Sequence, residues 1–121
     1  MDWKNKWLNK AKEHYKAGLK LYNEGFYRDS LSRLYYSAYS LMVAECGKAP
    51  TGRWTHKGIL KPFFKSIYLK EKTLSKTNSE RLKEFYERRR IADYELDTIE
   101  KEEVKTYIEL IENIFEVVKN D

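Results

Sequence analysis

A chain of 121 residues, 41% hydrophobic and 36% charged, is long enough to bury one core without metal or disulfides and too apolar to remain disordered. Five glycines and two prolines are too few for a turn-rich β fold, and no stretch approaches the ~18 uncharged apolar residues of a membrane span. The net charge of +5 hides an asymmetry, because residues 47–79 carry eight Lys/Arg against one acid and residues 95–121 carry three bases against nine acids.

A basic middle segment attracts phosphates or an acidic partner, or is simply a solvated lysine surface. Cys46 is the only cysteine and has no His or Cys spacing of a zinc site, so neither metal nor cofactor is expected. The start, Met-Asp-Trp-Lys-Asn-Lys-Trp, lacks the apolar core of a signal peptide, so a reducing, cytoplasmic setting is expected. The absence of glutamine and the abundance of Lys, Glu, Tyr and Ile resemble a hyperthermophile composition.

The first helix is predicted from the N-cap Asp2 to Gly25, with Leu8, Ala11, Tyr15, Leu19 and Tyr22 on its buried face. The second is predicted from Tyr27 to Cys46, stopped by Gly47. Leu31, Leu34, Tyr35, Ala38, Leu41, Met42 and Glu45 form one face of it, and Tyr36, Tyr39, Val43 and Cys46 a second apolar face. Such a helix is the centre of the bundle or part of a subunit interface. Residues 48–54 read as a loop. A third helix follows with Thr55 as its N-cap and Ile59, Leu60, Phe63, Phe64, Ile67 and Tyr68 inward, and Pro62 is expected to kink or split it. Residues 71–79 read as a connection. The fourth helix is predicted over 78–94 and the fifth over 100–120, capped near Asp97 or Thr98, with a clean stripe of Val104, Tyr107, Ile108, Ile111, Ile114, Phe115 and Val118. The reading is a single all-α domain, an up-and-down antiparallel bundle of about five helices over residues 1–121.

The fourth helix breaks its own pattern. Its stripe Leu82, Phe85, Tyr86 continues to Arg89, Ala92 and Asp93, which puts two charges on the inward side, four residues apart and able to pair. Buried charges are costly unless paired. On the second helix Asp29, Arg33, Tyr36, Ser37 and Ser40 form a polar stripe. If the two helices pack together, Arg33, Tyr36, Arg89, Asp93 and Tyr94 form one network. It is either a register-fixing salt-bridge cluster or a phosphate-binding cleft, since arginine matches phosphate oxygens in a fork. His14 reads as a surface residue, and His56, at a helix start, as a local structural contact more readily than a catalyst.

Three pieces of sequence in order resemble the HEPN superfamily (higher eukaryotes and prokaryotes nucleotide-binding), in its small stand-alone prokaryotic branch. They are residues 24–39, with Glu24-Gly25-Phe26-Tyr27-Arg28-Asp29-Ser30 at their start; Thr55-His56-Lys57-Gly58-Ile59; and Arg89-Arg90-Ile91-Ala92-Asp93-Tyr94. The resemblance implies a helical bundle, often a homodimer, that binds nucleotide or RNA and in many cases partners a minimal nucleotidyltransferase in a toxin–antitoxin pair. Active members are metal-independent endoribonucleases whose motif is an arginine followed after four to six residues by a histidine. Here Arg89 leads to Tyr94 where that histidine would stand. With an ordinary pKa near 10, tyrosine is a poor general base. The phosphate-holding half of the motif carries over and the proton-transfer half does not. The expected function is therefore a binding module using Arg33, Tyr36, Arg89, Asp93 and Tyr94, with basic support from Arg88 and Arg90. The alternatives are an endoribonuclease using Arg89 with Tyr94 or with His56, should the fold bring that histidine near Arg89, and a purely structural or interaction bundle.

Overall fold

The computed structural model describes residues 2–94 and 98–120, with Tyr94 described by its backbone alone. Five helices follow in order: α1 (Trp3–Asn23), α2 (Tyr27–Cys46), α3 (Leu60–Leu69), α4 (Lys76–Tyr94) and α5 (Lys101–Lys119). They form an up-and-down bundle, and no strand occurs among the described residues.

The helix ends follow local rules. Asp2 accepts the Asn5 amide at 2.8 Å and caps α1. Gly25, at φ +86°, lets the α1 terminus fold back, with the Gly25 amide on the Tyr22 carbonyl and the Phe26 amide on Leu21. Ser75 accepts the Asn78 amide at 3.1 Å, so α4 begins two residues earlier than its apolar stripe indicates. Glu100, not Thr98, precedes α5, and Asp97 lies outside the described residues. Thr55 caps a single turn rather than α3 itself, since its hydroxyl accepts the Gly58 amide at 2.9 Å while α3 starts at Leu60. Pro62 therefore falls in the first turn of α3, where a missing N–H leaves no bond unmade, and α3 runs through it as one helix.

The centre of the bundle is α2, which touches every other helix. Leu31, Leu34, Tyr35, Ala38, Leu41 and Met42 are all but fully buried, meeting Phe63 of α3, Leu82 and Phe85 of α4, and Leu110 and Ile114 of α5 in one core. The closest packing is against α1. The small residues Ala11 and Gly18 are buried there, and the α2 hydroxyls of Ser30 and Ser37 reach the Gly18 and Ala11 carbonyls at 2.7 and 2.8 Å. Ser37 thus belongs to this buried seam and not to a polar stripe turned toward α4.

Gly18 is needed for that approach, because a Cβ there would stand 2.7 Å from Leu34 Cδ2 and 2.8 Å from Leu34 Cγ. Gly18→Ala is expected to lower unfolding stability by about 1–3 kcal/mol, although alanine is the better helix former by ~1 kcal/mol. Urea denaturation checks this, and an unchanged midpoint would contradict the tight seam.

Candidate functional site

Arg89 projects from α4 toward α2 between aromatic rings. Its Nη2 donates to the Tyr36 hydroxyl at 2.8 Å. Its guanidinium carbon lies 5.6 Å from the Tyr35 ring centre and 5.3 Å from that of Tyr36, positions at which a cation is attracted to the ring. Its Nε is 3.0 Å from Asp93 Oδ2, one turn on, an ion pair without the alignment of a hydrogen bond. Asp93 is held in turn by the Ser32 hydroxyl at 3.0 Å. The arginine side chain keeps 18% of its surface exposed, and its Nη1 has no protein partner among the described residues. A guanidinium fixed on one edge and open on another can take two oxygens of a phosphate with little loss of side-chain freedom.

His56 joins the same aromatic group from the segment before α3. It stacks on Tyr39 with ring centres 4.2 Å apart and on Tyr35 at 5.3 Å, and meets Tyr36 edge-on at 5.8 Å. Two bonds shape that segment: the Trp54 indole donates to the Gly47 carbonyl at 2.7 Å, and the Tyr39 hydroxyl donates to the Trp54 carbonyl. His56 Nδ1 is buried without a partner among the described residues. Burial first, then the charges of Arg89 and Arg53, push its pKa below the ordinary 6.5. The fold therefore places His56 within electrostatic reach of Arg89.

The remaining sequence candidates part company. Arg33 turns to α1, where its Nη1 meets His14 Nδ1 at 3.2 Å, and so stands outside the Arg89–Asp93 network. It connects only through His14, whose ring lies 5.8 Å from that of Tyr36. Arg88, one residue and about 100° round the helix from Arg89, faces α5 and forks onto Glu103. Arg90 pairs with Glu87 at 3.1 Å on the outer surface. The Tyr94 side chain lies outside the described residues. His14 is not a plain surface residue, being half buried between Arg33 and Tyr36, and burial and the charges of Arg33 and Lys10 lower its pKa.

Periodicity missed the wall of a cleft of about 680 Å³ bounded by α1, α2 and the 47–56 segment. Trp7, Lys10, Tyr39 and Arg53 line it with Tyr36, His14 and His56. The usable signal was the second apolar face of α2, Tyr36 and Tyr39, which needed a cover and found one in Trp54-Thr55-His56. Cys46 is a poor nucleophile, because burial pushes its thiol up to about 12.

The lowered histidines give a pH prediction. Each binds a proton less readily folded than unfolded, so their contribution to stability is present above pH 6.5 and is lost as pH falls through the lowered folded values. Stability measured from pH 7.5 down to 5 is expected to fall, and the His14→Gln, His56→Phe double variant is expected to fall less. Equal slopes would contradict the burial of both rings as neutral groups.

Among the described residues no group of three His, Cys, Asp or Glu is placed to hold a metal ion, and no helix is long and apolar enough to cross a membrane. The sequence profile described as "HEPN domain" matches residues 5–121. A protein of Methanocaldococcus jannaschii named "Putative toxin MJ0142" is 32% identical over 103 residues, which cover 85% of this chain and 69% of that protein.

Proposed function

This chain belongs to the HEPN domain family, and on that premise we propose that it is a single-domain module that binds a nucleotide or RNA phosphate at Arg89. The observation that carries the reading is the arginine itself. It is held by Tyr36, Asp93 and two tyrosine rings, with Nη1 open. A mere structural ion pair would use its partner fully, whereas this arginine keeps one edge of its fork unclaimed. Tyr36 and Asp93 act as positioning residues. His56, neutral at pH 7, offers a nitrogen rather than a competing charge. Arg33 lies nearby through His14, whereas Arg88 and Arg90 are taken up by Glu103 and Glu87.

The toxin name of the relative and the family resemblance support a place in a toxin–antitoxin pair. The partner would be a minimal nucleotidyltransferase, and the working form a homodimer. The binding test is anisotropy of a labelled single-stranded RNA against salt. Binding is expected to weaken with a log–log slope of about −0.7 for each phosphate held, and a flat salt response would contradict a phosphate site.

A second reading, a metal-independent endoribonuclease, is favoured by one observation: Arg89 and His56 both lie against the Tyr35 and Tyr36 rings. The two separate in EDTA at micromolar protein. Binding alone leaves the RNA intact, while cleavage that disappears in His56→Ala would replace it with the enzyme.

A further inference from the structure

We propose that the cleft between α1, α2 and the 47–56 segment stacks an unpaired nucleobase next to the phosphate on Arg89. This rests on the phosphate reading for the position of the backbone, but the cleft has its own observations.

The chain has three tryptophans, and Trp3, Trp7 and Trp54 all line this cleft with Tyr36 and Tyr39. The rings are only partly buried. Trp3 and Trp7 meet at 5.8 Å and 50°, and Trp7 and Tyr39 at 6.4 Å and 77°. These are tilted and edge contacts, which leave the Trp3 and Trp7 faces unstacked by another ring, whereas one face of Tyr39 is taken by His56.

The charges fit the same ligand. Lys10 Nζ lies 4.8 Å from the Trp7 ring and Lys48 Nζ 5.4 Å from the Trp3 ring. Arg53 stands on the rim, and no carboxylate lines the cleft among the described residues. Cations beside aromatic faces are the arrangement that tracks a single strand: a base takes the ring and the cation moves to the phosphate. Two buried polar atoms of the cleft wall, Trp3 Nε1 and His56 Nδ1, have no partner among the described residues. The cleft volume of about 680 Å³ lies within the range of small-molecule sites.

The two parts are continuous. Tyr36 and His56 line the cleft, and the Tyr36 hydroxyl also accepts from Arg89. A base in the cleft therefore has its phosphate on the side of Tyr36 that meets Arg89. A duplex hides the faces of its bases, so only a single strand or a free nucleotide can use these rings.

Tryptophan emission reports the cleft directly, since every tryptophan of the chain lies in it. The full chain is titrated at low salt with an adenylate RNA hexamer, an abasic hexamer of equal charge, an RNA duplex and adenosine monophosphate, with labelled-strand anisotropy in parallel. The hexamer is expected to quench emission with the midpoint of its anisotropy curve. The abasic strand is expected to bind roughly 5- to 100-fold more weakly, the equivalent of one stacked base, without quenching. Quenching by the monophosphate at the hexamer's midpoint would assign the site to a free nucleotide, and a much weaker midpoint to a strand; both support stacking. Equal binding of abasic and base-bearing strands without quenching overturns the proposal and leaves the phosphate reading standing. Quenching by nucleotide that survives in Arg89→Met with unchanged affinity keeps the stacking and removes the phosphate reading. Equal quenching by duplex overturns the requirement for an unpaired base. Lys10→Ala with Arg53→Ala, both at exposed positions, provides a variant independent of the core. It is expected to weaken the hexamer while leaving urea unfolding close to wild type, and unchanged hexamer affinity would contradict the proposal.

Discussion

Glu45→Ala is expected to lower unfolding stability by about 3–5 kcal/mol, the cost of stranding one partner of a buried ion pair. The Glu45 side chain is 0% exposed, near the carboxyl end of α2, where the helix dipole disfavours an anion. It is tolerated because the chain after α3 brings two ammonium groups to it. Lys70 lies 2.8 Å from Oε2 and Lys72 2.5 Å from Oε1, with Lys72 itself only 8% exposed. The Ser66 hydroxyl donates at 2.6 Å. Lys72 also reaches the Val118 carbonyl at 3.5 Å, so the cluster ties α2, α3 and α5 together at one end. Thermal unfolding of Glu45→Ala should fall in Tm by more than about 10 °C. The double variant Glu45→Leu, Lys72→Met removes the two buried charges, leaves the more exposed Lys70 to solvent and keeps apolar volume, and it should recover most of the loss. A double variant no better than Glu45→Ala would show that lost packing, not stranded charge, is the cause.

The same carboxylate sets an acid limit. Burial alone would raise its pKa, but hydrogen bonds from Lys70, Lys72 and Ser66 outweigh that and leave it below the ordinary 4.5. A carboxylate lowered on folding adds stability that is full above its unfolded pKa and is lost as pH falls through the folded one. Acid unfolding below pH 4.5 should therefore flatten in the double variant.

Arg89→Met is expected to weaken RNA binding roughly 10- to 100-fold, the equivalent of about 1.5–3 kcal/mol for a charge-assisted hydrogen bond. Methionine keeps contact with the tyrosine rings but gives up the fork. The fold should survive. Asp93 keeps the Ser32 hydroxyl and Tyr36 is only partly buried, so both are able to meet water. Arg89→Lys retains the charge without the bidentate geometry and should fall between the two.

The helix order and most of the core were legible because they depend on 3- and 4-residue periodicity, which α2 and α5 display plainly. Arg89 and Asp93 were legible for the same reason: two charges four residues apart on an apolar stripe can pair along one helix. What periodicity does not encode is where long side chains and irregular segments go. Arg33 was read with Arg89, yet its side chain turns to His14 on α1. Ser37 looked like part of a polar stripe because the pattern could not reveal that Ala11 and Gly18 bring the α1 backbone within reach. Lys72 read as part of a connection and Lys70 was not singled out, since their convergence on Glu45 depends on Glu71 adopting a left-handed φ of 57°. His56 is reached only through tertiary hydrogen bonds that fold residues 47–56 back over Tyr39.

The central claim, that Arg89 holds a phosphate, is tested most directly by the salt dependence of RNA affinity in wild type and Arg89→Met, with urea unfolding of both. A phosphate-holding Arg89 predicts a weaker variant whose log–log salt slope is smaller by about 0.7–1, with unfolding close to wild type. An Arg89→Met protein that is strongly destabilised, yet binds RNA with wild-type affinity and slope, would contradict the claim and make Arg89 a structural tie between α2 and α4.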